Sequence, residues 1–222
     1  MDYIVINKTI NRGFIVSSQD ILFAVNRLND FLETLPINLY RSIDLKTMGS
    51  MIGALLCSYI ADRVEGAMVN PIEKGYPDII PDSGANASEE ELRHYSTGLE
   101  VKGTVGNVIS GTSGCGIRRI ENLTSVVWQA HHQEVNNLLC FVWDFCNNKN
   151  GFNYPAITCV FYSDKLRKND WGAVSGTTGR NTKVCAMLAS GKNKVGEGLI
   201  LIADSEEYIQ KYKSIIDSIP VQ

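Results

Sequence analysis

Long apolar runs are missing from this sequence. The longest, Met51 to Ala61, is broken by Gly53 and Ser58 and falls short of a bilayer span, so no membrane partner is expected. A secretory leader is not expected either, because Met1-Asp2-Tyr3 opens without a basic segment and an apolar run behind it. Histidine is scarce, with only His94, His131 and His132. The six cysteines (57, 115, 140, 146, 159 and 185) contain no CxxC pair, which argues against a structural zinc site. Most of them sit among apolar neighbours, which fits free buried thiols in a reducing, cytoplasmic setting. A strong basic excess is absent too: the net charge is −3, unlike that of a protein that coats nucleic acid without selection. The glycine-rich segment at Gly106, Gly111, Gly114 and Gly116 is not followed by Gly-Lys-Ser/Thr, so it is no Walker-type phosphate cradle and no nucleotide cofactor is expected.

What is present describes an ordinary globular chain. It has 222 residues, 44% hydrophobic and 20% charged, with no repeat or linker, and is expected to form one domain over 1–222. Its charge is unevenly placed. Residues 1–100 carry 8 Lys/Arg against 14 Asp/Glu, residues 101–195 carry 11 against 5, and residues 196–222 carry 2 against 5. A basic second half would draw a polyanion toward whatever precedes it, unless its lysines are merely solvated loop residues.

Helical spacing of Ile21, Leu22, Val25, Leu28 and Leu32 behind the capping residues Ser17 to Asp20 predicts a helix that Pro36 ends. A second helix is expected over 43–66, its apolar face running from Met48 to Val64. Gly49 and Gly53 on it would let another backbone come close. The runs 126–131, 138–143, 156–162, 184–189 and 198–203 read as strands, and Ser205 starts a closing helix. The expected fold class is therefore mixed α/β: a central mixed sheet flanked by helices.

The stretch 75–104 carries the chemistry. Gly-Tyr-Pro-Asp-Ile-Ile opens it and Leu-Glu-Val-Lys-Gly-Thr closes it, each reading as a short buried strand with charge in an unusual place. Side chains alternate along a strand, so Glu100 and Lys102 project from one face roughly 7 Å apart. If the two strands form a hairpin, Asp78 meets that pair. Pro77-Asp78 followed by Glu100-Val101-Lys102 resembles the signature of the PD-(D/E)xK nuclease superfamily, and the chain's size points to its type II restriction endonucleases.

The resemblance implies a restriction-endonuclease-like core and Mg²⁺-dependent hydrolysis of phosphodiester bonds in double-stranded DNA at a specific, palindromic site by a homodimer. Mn²⁺ is the expected substitute. Asp78, Glu100 and the Val101 carbonyl would hold the metal, and Lys102 would orient or deprotonate the attacking water. Burial pulls the Lys102 pKa down while the carboxylates push it up. The leaving 3′ oxygen needs a proton. An extra acidic residue from the preceding helix is a further expectation; Glu65 is its candidate, with a solvated surface carboxylate as the alternative. A repair or junction-resolving nuclease of the same fold, and a non-catalytic DNA-binding protein with a nuclease-like sheet, are the other readings.

DNA contacts would come from polar side chains around this centre. Thr104, Asn107, Arg118 and Arg119 follow it directly. His131-His132-Gln133 stand at a strand end, where they either contact DNA or pack as capping residues. Arg180, Asn181, Thr182 and Lys183 lie in a polar stretch free of acidic residues, and Lys192 is placed on the next loop to bind phosphate.

Overall fold

The computed structural model describes residues 1–73, 75–108, 118–148, 151, 153–176 and 183–216. Three short strands, β1 (Tyr3–Val5), β2 (Thr9–Asn11) and β3 (Ile15–Ser17), lead into helices α1 (Ser18–Thr34), α2 (Ile37–Ser42) and α3 (Leu45–Arg63). Next come β4 (Ala67–Val69), β5 (Ile79–Pro81), α4 (Glu89–Arg93), β6 (Val101–Thr104) and β7 (Asn107–Val108). The second half holds β8 (Leu123–Ser125), β9 (Gln129–Ala130), the long β10 (Leu138–Asn147) and β11 (Asn153–Ser163). It closes with β12 (Cys185–Ala186), α5 (Ala189–Gly196), β13 (Leu199–Ala203) and α6 (Glu206–Lys213).

The class is mixed α/β. Five strands form the main sheet in the order β1-β13-β11-β10-β6. β6 runs parallel to β10, and every other pair in that sheet is antiparallel. β10 and β11 are buried along nearly their whole length, which fits a central pair covered on both faces.

The long helices form for local reasons. Ser17 and Asp20 close a reciprocal capping box on α1, and Ile21, Ala24, Val25, Leu28 and Leu32 make its buried stripe. Asp44 caps α3 by accepting from the Thr47 N–H, and Met48, Ile52, Leu56, Cys57 and Ile60 face inward. Gly49 and Gly53 do leave room on α3, though for the rings of Trp143 and Phe141 on β10 and not for a backbone. Phe141 also lies over Gly103, where a Cβ would come within 2.2 Å of the ring. The helix thus seats beside β6, at the sheet edge that carries the Glu-Val-Lys run.

Two expectations need correction. The run 126–131 is no central strand: only Gln129–Ala130 pairs, and its partner is Cys185–Ala186 outside the main sheet. The run 184–189 shortens to those two residues, because Leu188 caps α5 and the helix begins at Ala189. Pro36 ends α1 but also stands at the start of α2, since its fixed φ suits a helix entrance as well as an exit.

Candidate active site at the sheet edge

β5 reaches the sheet edge through one pair of hydrogen bonds. The Ile79 N–H donates to Leu99 O at 3.1 Å and the Leu99 N–H donates back to Ile79 O at 2.8 Å. Gly98 permits this approach: its φ is +144°, and a Cβ there would lie 2.4 Å from Ile79 O. On the other side of β6, the Leu139 N–H takes Glu100 O at 2.8 Å. In a parallel ladder the next residue then turns both its backbone groups the opposite way. Val101 accordingly gives its N–H to Asp78 Oδ2 at 2.8 Å, and its carbonyl faces the same outer edge. A side-chain carboxylate continues the ladder where β5 has run out.

Asp78, Glu100 and Lys102 converge as expected. The Lys102 ammonium donates to Glu100 Oε1 at 2.6 Å and lies 3.5 Å from Asp78 Oδ2. Glu100 is 5% exposed, and its second oxygen, Oε2, is buried with no hydrogen-bond partner. Burial, then the Asp78 charge beside it, pushes the Glu100 carboxyl up to about 7 against the pull of Lys102. For Lys102, burial works to lower the pKa, but the two carboxylates outweigh it and hold the ammonium above its ordinary value. Of the two opposed influences read from the sequence, the carboxylates give the direction, toward the charged form.

An orphaned, buried carboxylate oxygen beside a second carboxylate and an edge-facing carbonyl is a donor set for a hard cation. Among the described residues no cluster of three or more His, Cys, Asp or Glu stands ready to hold a metal. A cation here would be held by Asp78, Glu100 and the Val101 carbonyl and would keep water in its other positions, as Mg²⁺ commonly does. Glu65 is not brought in. It sits exposed in the turn after α3, and the α3 residue whose charge state couples to Lys102 is the buried Cys57.

A second layer holds the first, and little of it was apparent in the sequence. Buried Asn70 donates to Pro77 O (3.1 Å) and Leu92 O (2.8 Å), and its own N–H takes Asp78 O at 2.9 Å. Arg12 reaches over from the β2–β3 hairpin and donates to Gly98 O at 3.0 Å. Tyr76, His94 and His132 form a cluster of rings within reach of the Lys102 charge: Tyr76 and His132 meet edge-on at 4.7 Å between centroids, and His94 and His132 lie 6.0 Å apart. The scarcity of histidine, with two of three gathered here, was the available signal.

The remaining DNA-contact candidates scatter. The tandem histidines part, with exposed His131 turning its Nδ1 to Lys183 O at 3.2 Å and His132 packing edge-on against Tyr76. Gln133 donates to Gly172 O at 2.8 Å, a structural bond. Arg118 is half-buried and paired to Glu207 at 2.9 Å, and Arg119 is buried at 2% exposure. Thr104 Oγ1 accepts from the Gly106 N–H at 3.3 Å, tying off the turn after β6. Asn107 opens β7. Lys192 lies on α5 and not on a loop, because 189–196 is helical. Lys183 is exposed, while Arg180, Asn181 and Thr182 fall outside the described residues.

Compared with known proteins, the chain matches no family model, no curated protein and no solved structure.

Proposed function

We propose that this chain is a Mg²⁺-dependent nuclease that hydrolyses phosphodiester bonds of double-stranded DNA, built on a restriction-endonuclease-like core. The observation that carries the reading is the convergence of Asp78, Glu100 and Lys102 at a sheet edge with Glu100 Oε2 buried and unpaired. A bound divalent cation supplies charge neutralisation at the scissile phosphate and acidifies a water. The chain's own groups do the rest. Asp78 and Glu100 hold the cation side of the site, and the Val101 carbonyl adds a third oxygen. Lys102, which the two carboxylates hold as an ammonium in the cation-free site, orients or deprotonates the water and stabilises charge on the phosphate oxygens. Cutting both strands at a palindromic site calls for a two-fold dimer, each protomer reading a half-site.

The test is incubation of plasmid DNA with the protein in Mg²⁺ and in EDTA. Discrete fragments in Mg²⁺ only are expected, with Asp78→Ala, Glu100→Ala and Lys102→Ala each slowing cleavage by about 10²-fold or more. Smearing or junction-selective nicking would move the reading to a repair nuclease. No cleavage with any divalent cation, by parent and variants alike, overturns it in favour of a non-catalytic binding protein.

A further inference from the structure

The ladder between β4 and β5 ends at Val69 and Ile79, one rung short of Asp78. Asn70 carries the pairing past that end. Its backbone N–H donates to Asp78 O at 2.9 Å, and its side-chain amide donates to Pro77 O at 3.1 Å. These two carbonyls belong to the peptide planes on either side of the Asp78 Cα. One residue thus holds both planes, and with them the two dihedrals that decide how the Asp78 side chain leaves the backbone.

The Asn70 amide is itself fixed. The residue is 8% exposed, and its Oδ1 accepts from the Ile72 N–H at 3.2 Å. That leaves the amide N–H groups for Pro77 O and, at 2.8 Å, for Leu92 O in α4. Asparagine is the shortest side chain that offers a carbonyl acceptor and two donors at once. An aspartate here would set a carboxylate against two carbonyl oxygens. Gly75 completes the fit, since a Cβ there would lie 2.6 Å from the amide. At its other end Asp78 has a narrow target: Oδ2 accepts from the Val101 N–H at 2.8 Å and lies 3.5 Å from the Lys102 ammonium. A retreat of about 1 Å breaks the bond to Val101.

We propose that Asn70 is a positioning residue that acts through Asp78: it aims the carboxylate so that Oδ2 rests on the Val101 N–H, where Asp78 can share a divalent cation with Glu100. What that cation does to DNA rests on the nuclease reading; the aim of the carboxylate does not. With Asn70 cut back to alanine, Pro77 O and Leu92 O lose their donor, and the segment ahead of β5 is free to carry Asp78 off Val101. A residue that only tied β5 to α4 would support the fold without favouring any one contact of the trio.

Amide hydrogen exchange of the whole protein in EDTA separates these roles. Val101 N–H reports Asp78, and Leu139 N–H, which bonds Glu100 O on the other side of β6, reports the sheet. Asn70→Ala is expected to speed Val101 exchange about tenfold or more and leave Leu139 unchanged. Equal loss at both amides, or a Val101 as protected as in the parent, overturns the proposal. Gly75→Ala keeps every donor but drives a Cβ into the amide; it is expected to show the same selective loss and stands in where Asn70→Ala does not fold. A second arm measures Mg²⁺ affinity. Asn70→Ala is expected to weaken it about 10- to 100-fold in the parent and to add little in an Asp78→Ala background. Effects that simply add would also overturn the proposal. If the parent binds no Mg²⁺ and cuts no DNA, the nuclease reading falls, and the exchange arm still decides what Asn70 does.

Discussion

At the scale of single residues, Lys102 is the hinge of the site's electrostatics. Its ammonium contacts two carboxylates that would otherwise repel each other in a buried setting. Glu100 has a folded pKa raised above its unfolded value, so the folded state binds the extra proton and stability falls as pH rises from about 4.5 to about 7. Lys102, also raised, contributes stability that is present below its unfolded value near 10.5 and lost above it. Lys102→Met removes the counter-charge and drives the Glu100 carboxyl further up. Thermal unfolding of the metal-free variant should show a loss of about 3 kcal/mol at pH 8 that shrinks toward pH 5.5. An equal loss at both pH values would point to packing and not charge. The trio itself was legible in the sequence, because alternation along a strand puts Glu100 and Lys102 on one face whatever the rest of the chain does. Asn70 and Arg12 were not legible: their roles depend on which carbonyls a turn and a distant hairpin bring near.

At the scale of elements, β10 carries a second buried carboxylate with a purely mechanical task. Asp144, 2% exposed, accepts from the backbone N–H groups of Arg119, Ile120 and Phe145 at 2.6, 3.0 and 2.7 Å. It anchors the chain ahead of β8 to the centre of the sheet. Asp144→Ala leaves those buried donors without this acceptor, and a urea titration should show a loss of about 3 kcal/mol. The helices α1 and α3 were readable within a few residues, because capping chemistry and a 3.6-residue stripe are local properties. β10, β11 and β13 were readable as unbroken apolar runs. The run 126–131 misled for a physical reason: Val126 and Trp128 are buried at 0% exposure, so strand-like composition there reflects side-chain burial and not a place in the main sheet. Where β6 sits in the sheet, and that it runs parallel to β10, depends on a partner far along the chain and leaves no mark on its own four residues.

For the whole molecule, the uneven charge seen in the sequence is softened by pairing. Lys102, Arg118, Lys165 and Lys194, all from the basic half, are each held by a carboxylate. Lys194 in particular spends its charge on the buried Asp170 at 2.7 Å. Attraction of a polyanion therefore depends on fewer groups than the count of lysines and arginines suggests. The excess negative charge of the trio makes a complementary expectation: a cation that binds the folded site alone stabilises the fold by mass action. Mg²⁺ at a hundred times its Kd should add about 2.7 kcal/mol to the parent, and nothing comparable to Asp78→Ala, as read by thermal unfolding across a Mg²⁺ titration. Equal stabilisation of both would place the cation elsewhere. No helix among the described residues is long and apolar enough to cross a membrane.

The parallel pairing of β6 with β10 also sets an order in time. A ribosome releases Asp78, Glu100 and Lys102 well before Leu138–Asn147, yet β6 has no place in the sheet until β10 exists to receive it. β10 in turn is flanked by β11, and the first strand of the chain waits longer still, since Tyr3 pairs with Ala203. Synthesis of the three charged groups and their assembly are thus separate events, and a half-made chain carries the residues of the cluster without the cluster.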